Sequence, residues 1–91
     1  MIPHRFECLG LVITVKRTKL KKSYGKWKPN KLEILIDDRS VEQVQEQSFW
    51  HEALHCMLDS LGYDKLSQNE KFVDRLGHCL YQLEQSRRDE P

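Results

Sequence analysis

Long apolar runs are missing from this sequence. No stretch approaches the roughly 20 residues that a membrane span requires, so no membrane partner is expected. The opening Met1-Ile2-Pro3-His4-Arg5 has no apolar stretch leading to a small-residue cleavage site, and no secretory leader is expected. Cysteine is scarce. Cys8, Cys56 and Cys79 are odd in number and show no CxxC spacing, which argues against a disulfide framework and for reduced thiols in a cytoplasmic protein. Cys56 and Cys79 fall inside apolar helical patterns and read as small core residues. A charge excess is lacking too: the formal net charge is +1, so the global balance points to no partner class. There is no internal repeat and no composition break that would mark a second domain.

What is present fits one small domain. The chain has 91 residues, of which 32% are charged and 38% hydrophobic, as expected of a soluble globular protein. A fold of this size buries roughly 60–65% of its unfolded surface, so a bound metal would add useful stability. Residues 6–15 alternate as a strand, with Leu9, Leu11, Ile13 and Val15 on one face. Residues 16–31 hold eight of the fifteen Lys and Arg residues and no acid, and their Ser-Tyr-Gly and Pro-Asn turn signals suggest a long hairpin connection. Residues 32–37 form a second strand with Leu32, Ile34 and Ile36 on one face.

The spacing then predicts a helix from about Val41 to Leu61, with Ser40 as N-cap, Gln43 completing a capping box and Gly62 as the stop. A short link, Tyr63–Leu66, leads to a second, antiparallel helix from about Gln68 to Gln85, with Ser67 as its N-cap. Residues 86–91 read as a frayed tail. The expected fold class is α+β: a small antiparallel sheet of two to three strands followed by two antiparallel helices.

The first helix carries His51-Glu52-Ala53-Leu54-His55, the HExxH motif. A spacing of four places both imidazoles on one helix face, one turn apart, which is half of a tetrahedral zinc site. Glu52 follows the first histidine, where its carboxylate can act as general base on a water activated at the metal. On a helical wheel Trp50, Leu54, Met57, Leu58 and Leu61 form the core arc, and His51 and His55 lie at its edge. The second helix has a core arc of Phe72, Val73, Leu76, Leu80 and Leu83, edged by Glu70, Asp74, Gly77 and Tyr81. If the arcs pack together, Glu70 or Asp74 meets the histidines and supplies a third ligand. Measured along ideal helices, Asp74 comes level with His55. Glu70 has a second reading as the partner of Ser67 in a Ser-x-x-Glu capping box. Asp59 shares the histidine face one turn further on, as a supporting or solvent-facing carboxylate.

Together, His51-Glu52-Ala53-Leu54-His55 and the following Asn69-Glu70-Lys71-Phe72-Val73-Asp74 resemble the thermolysin-type gluzincins. The Tyr24-Gly25-Lys26-Trp27 loop, the short strand after it and the Phe49-Trp50-His51-Glu52 helix are similar to short phage-associated proteins read as metallopeptidases. The resemblance spans about residues 9–85 and implies one minimal zincin-like domain over 1–91. It implies Zn2+ as cofactor, Glu70 as third ligand and Asp74 as the hydrogen-bonding partner of His51. The larger gluzincins stabilise the oxyanion with an extra His or Tyr, for which this chain offers His4, Tyr24, Tyr63, His78 and Tyr81.

The favoured reading is therefore a zinc metallopeptidase acting on a peptide or protein substrate, with Glu52 as catalytic residue and His51, His55 and Glu70 on the metal. Strand 32–37, just before the metal helix, is either an ordinary sheet strand or an edge to which substrate adds as a further strand. The alternative to an enzyme is a zinc-stapled module. Its basic segment 16–31, with Tyr24 and Trp27 among the cations, would bind nucleic acid or a partner. A fourth protein ligand such as Cys56 or His4 would favour that alternative. The same lysines also suit a solvated connection guarding a sheet edge.

Overall fold

The computed structural model describes residues 2–89. Leu9 and Gly10 both adopt positive φ (50° and 82°), the geometry of a two-residue hairpin turn that matches strand twist. This turn divides the single strand expected over 6–15 into β1 (Arg5–Cys8) and β2 (Leu11–Thr18), paired antiparallel with Phe6 opposite Ile13. Leu9 and Leu11 are therefore exposed, while Ile13 and Val15 are buried.

The basic segment is not a hairpin connection. It extends β2 to Thr18, crosses in a loop over residues 19–24, and forms a further strand, β3 (Gly25–Lys28). A 3₁₀ turn at Pro29–Lys31 leads to β4 (Glu33–Asp37). The sheet order is β1-β2-β4-β3, with β4 parallel to β2 and antiparallel to β3. The class is α+β, but the sheet has four strands and is mixed, where two or three antiparallel strands were expected. The physical reason is that β3 has one large apolar residue, Trp27, among lysines. Its alternation is too weak to read locally, and it forms because it pairs with β4. β4 is consequently interior, so strand 32–37 is not the edge considered above. The free edges belong to β1 and β3.

One helix, α1 (Glu42–Ser60), covers the sheet. Its N-cap is Val41, with no side-chain cap bond; Ser40 instead accepts Gln45 Nε2–H through its carbonyl at 2.8 Å. At the other end Gly62 takes φ 83°, its N–H bonds Asp59 O, and Tyr63 N–H bonds Leu58 O, the paired bonds of a Schellman motif. Two faces of α1 are buried. Phe49, Ala53 and Cys56 pack on Ile13, Val15, Ile34 and Ile36 of the sheet. Leu54 and Leu58 pack on Val73 beyond. A single apolar arc underdescribes a helix held between two layers, which is why Leu61, assigned to the core arc, is exposed.

The expected link contains a short helix, α2 (Asp64–Gln68), and then α3 (Glu70–Arg88) begins. Asn69 caps α3 by accepting Phe72 N–H at 3.1 Å, so the Ser67/Glu70 capping box does not form. Partners run in opposite order along α1 and α3: His55 with Glu70, His51 with Asp74, Glu46 with Arg88, which makes the helices antiparallel. They are in close contact at Gly77, where an added Cβ would sit 3.5 Å from His51 Cα. Val73, Gly77 and Tyr81 are the buried positions of α3, whereas Leu83, expected in the core, is exposed. Residues 86–88, expected to fray, are helical, and Arg88 pairs with Glu46; residues 90–91 of that expected tail lie outside the described residues. No helix among the described residues is long and apolar enough to cross a membrane.

Candidate metal centre

α1 presents His51 and His55 one turn apart, their ring centroids separated by 5.0 Å. The turn through α2 brings the first residue of α3 over them. Glu70 Oε2 lies 3.0 Å from His51 Nε2, and Glu70 Oε1 lies 3.0 Å from His55 Nε2. Among the described residues these three form one potential metal-binding group, their ligand atoms all within 4.8 Å of each other. The expected direct link between helices had placed Asp74 level with His55. With α2 interposed, Asp74 falls beside His51 instead, its Oδ1 3.6 Å from Nδ1.

The donor types are ones that zinc accepts. Zinc takes imidazole nitrogen and carboxylate oxygen as donors, and the three residues offer two of the first and one of the second, with ligand atoms within 4.8 Å of one another. Both Nε2 atoms face the same carboxylate, and both Nδ1 atoms face other groups. His55 Nδ1 is 3.1 Å from Ser67 Oγ, a buried hydroxyl at the end of α2. Such an outer bond fixes the ring and leaves Nε2 as the donor nitrogen. Sequence reasoning missed Ser67, because its Ser-x-x-Glu spacing pointed to helix capping. The side chains of His51 and His55 are 23% and 15% exposed, and that of Glu70 is 66% exposed, so the group opens to solvent on the Glu70 side.

Glu52 lies on the sheet side of the histidines, against β3. Burial pushes its carboxyl above the ordinary value; the neighbouring His51 and His55 oppose that, the Glu70 carboxylate reinforces it, and a bond from the Trp27 backbone N–H opposes it. Gly25 makes room for this side chain: a Cβ there would meet Glu52 Cγ at 3.0 Å. Trp27 anchors the same strand, its indole Nε1–H donating to Asp59 Oδ2 at 3.0 Å. Asp59 therefore ties β3 to α1, a role its position on the histidine face did not disclose. Gly25 and Trp27 belong to the Tyr24–Trp27 segment, which the sequence offered only as part of a resemblance.

A cleft of about 430 Å³ runs beside His51 and Glu52, walled by Ser23, Tyr24 and Gly25 on one side and by Gln47, Ser48 and Asp74 on the other. Of the five candidates for an oxyanion donor, Tyr24 lines this cleft, and His78 lines a smaller recess shared with His51 and Asp74. His4, Tyr63 and Tyr81 line neither. No family model, curated protein or solved structure matches the chain.

Proposed function

We propose that this protein is a zinc-dependent peptidase. The observation that carries the reading is the convergence of His51, His55 and Glu70, with ligand atoms within 4.8 Å, beside a half-buried Glu52. His51, His55 and Glu70 would hold the ion, and Ser67 and Asp74 would orient the two imidazoles. When bound, zinc supplies Lewis-acid polarisation of the water and of the scissile carbonyl. Glu52 takes the proton from the attacking water and returns it to the departing amine. A carboxyl raised by burial is suited to both halves of that transfer. The cleft beside Glu52 opens to solvent, and β3 rather than β4 is the outer strand of the sheet beside it.

A purely structural zinc would favour a fourth protein donor. Cys56 is fully buried in the sheet-facing core next to Cys8, and the described donor group contains neither Cys56 nor His4. Both points support a site with a position left for substrate. The test is metal content after purification without chelator, followed by peptide cleavage. One zinc per chain is expected in the wild type and is lost in His55→Ala and Glu70→Ala. Glu52→Gln should keep the zinc and lose at least about 100-fold in turnover. Full activity in Glu52→Gln, or no zinc uptake by the wild type, refutes the reading.

A further inference from the structure

α1 packs on one face of the sheet, against Ile13, Val15, Ile34 and Ile36, and α3 packs on α1 beyond it. Side chains alternate along a strand, so the residues between those four point to the second face. The pairing register lays that face out. One row runs Arg5, Thr14, Glu33, Lys28, and the next runs Lys16, Leu35, Lys26. Arg5, Thr14, Lys16 and Lys26 are exposed. At roughly 4.8 Å between strands, Lys16 and Lys26 stand roughly 10 Å apart and Arg5 and Lys28 roughly 14 Å apart.

The near-zero net charge hides a division. Residues 16–31 hold eight Lys and Arg and no acid, while the rest of the chain has seven against fourteen acids. Of the eight, Arg17 turns to α1, where it bonds Gln45 and Glu42. Glu33 is matched within the face: its bond to Lys16 at 2.9 Å, with Lys28 and Lys31 nearby, holds its carboxyl below the ordinary value. Glu7, the other acid of the face, stands beside the hairpin turn opposite Val12. Arg5, Lys26 and Lys28 form no ion pair among the described residues. The loop over 19–24 continues the charge with Lys19, Lys21 and Lys22, all exposed. It is fastened at Leu20, whose N–H donates to Asp37 Oδ1 at 3.1 Å; Arg39 bonds the same carboxylate and reaches Leu20 O. The loop lysines are thereby held where β2 and β4 end.

We infer that this face binds double-stranded nucleic acid through its phosphates, with Arg5, Lys26 and Lys28 on the sheet and Lys19, Lys21 and Lys22 on the loop as the contacts. The inference is independent of what the metal centre does. Phosphates line the grooves of a duplex, about 6 and 12 Å wide in DNA, a scale that cations on long stems spread over the two rows can span. Such contacts need cations and no apolar anchor. Other occupants need what the face lacks. A protein interface centres on buried aromatic or aliphatic anchors. A membrane contact needs a broad apolar surface to bury, and a single strand needs aromatics that stack its bases. The apolar side chains of this face are Val12 and Leu35. Of the aromatics in the basic segment, Trp27 lies on the α1 side bonded to Asp59, and Tyr24 walls the cleft.

The experiment measures binding of the full chain to short dye-labelled DNA and RNA duplexes, the matching single strands, poly-glutamate and vesicles containing anionic lipid. Duplex binding is expected to weaken with salt, the logarithm of affinity falling at a slope of about −0.9 per phosphate contacted, so about −5 for six cations. Whichever duplex binds tighter identifies the source of the phosphates. Arg5→Gln/Lys26→Gln/Lys28→Gln and Lys19→Gln/Lys21→Gln/Lys22→Gln should each weaken binding by at least about 10-fold and flatten the slope by about 2.7. Lys65→Gln/Lys71→Gln/Arg75→Gln removes the same charge from α2 and α3 and should change affinity by less than about two-fold. Thr14→Lys adds a cation between Arg5 and Glu33 and should tighten duplex binding, a gain that misfolding cannot produce. Equal losses in the α2–α3 variant, no gain in Thr14→Lys, or an affinity that salt does not change overturns the inference. So does tighter binding of single strands, poly-glutamate or vesicles than of either duplex.

Discussion

Glu52 sits between α1 and the Gly25 backbone, and burial is the largest influence on its carboxyl, holding it above the usual range. A folded-state value raised above the unfolded one means that the protonated form suits the fold. Its contribution is complete below the unfolded value, near 4.5, and is lost as pH rises through the folded value. Glutamine is neutral throughout. The metal-free Glu52→Gln protein should therefore melt at a higher temperature than the metal-free wild type at neutral pH, with the difference closing as pH falls toward 4.5. Paired thermal melts across that range check the sign; a pH-independent difference would contradict it. Ser67 makes a different claim. Removing the hydroxyl 3.1 Å from His55 Nδ1 leaves the ligand set intact but frees the ring. Ser67→Ala should weaken zinc binding by about 10-fold, measured by competition with a chelator. The HExxH spacing was legible because four residues of helix dictate it. Ser67 was not, since its partner is twelve positions away and depends on how α2 turns.

At the level of elements, the site depends on how closely α1 and α3 approach, and Gly77 lies where they touch. A Cβ at this position would lie 3.5 Å from His51 Cα and 3.6 Å from Leu54 Cδ1, ordinary van der Waals contact. Gly77→Ala should thus be accepted and gain up to about 1 kcal/mol from helix propensity. Gly77→Leu has no such room. It should cost roughly 1–3 kcal/mol and pull Glu70 from the histidines, so that zinc affinity falls together with the melting temperature. Denaturant unfolding and zinc titration of the two variants separate these outcomes. The expected stripe of Glu70, Asp74, Gly77 and Tyr81 does face α1, although it reads as an edge on a wheel drawn for one apolar arc. It faces α1 because α1 is packed on both sides, so α3 meets its histidine side as well as its leucines.

For the molecule as a whole, the core lies between the sheet and α1, and two cysteines are inside it. Cys8 and Cys56 are buried neighbours, and burial, then the adjacent Cys8, push the Cys56 thiol up to about 12, while Cys79 is exposed on α3. A thiol reagent at neutral pH should modify Cys79 in the native protein and reach Cys8 and Cys56 only on unfolding, a difference that mass spectrometry reads directly. Rapid native labelling of all three would contradict the β1–α1 packing. Cys56 was rightly read as a core residue, but Cys79 was not, because both lie in apolar runs and only the position of the sheet decides which helix has a second covered face.

The amino-acid sequence by itself determined what lies within one element: the helix through His51, Glu52 and His55, its stop at Gly62, and the α+β order of strands before helices. These follow from dihedral preference and helical period over a few residues. Tertiary structure alone decided which groups meet across elements. Glu70 rather than Asp74 lies against both imidazoles because α2 changes the register of the turn. β3 rather than β4 is the edge beside the cleft because β4 enters between β2 and β3. Ser67, Gly25 and Asp59 reach the site through neighbours distant in sequence. Such juxtapositions are set by packing and by the path of the chain between elements, which no local period encodes.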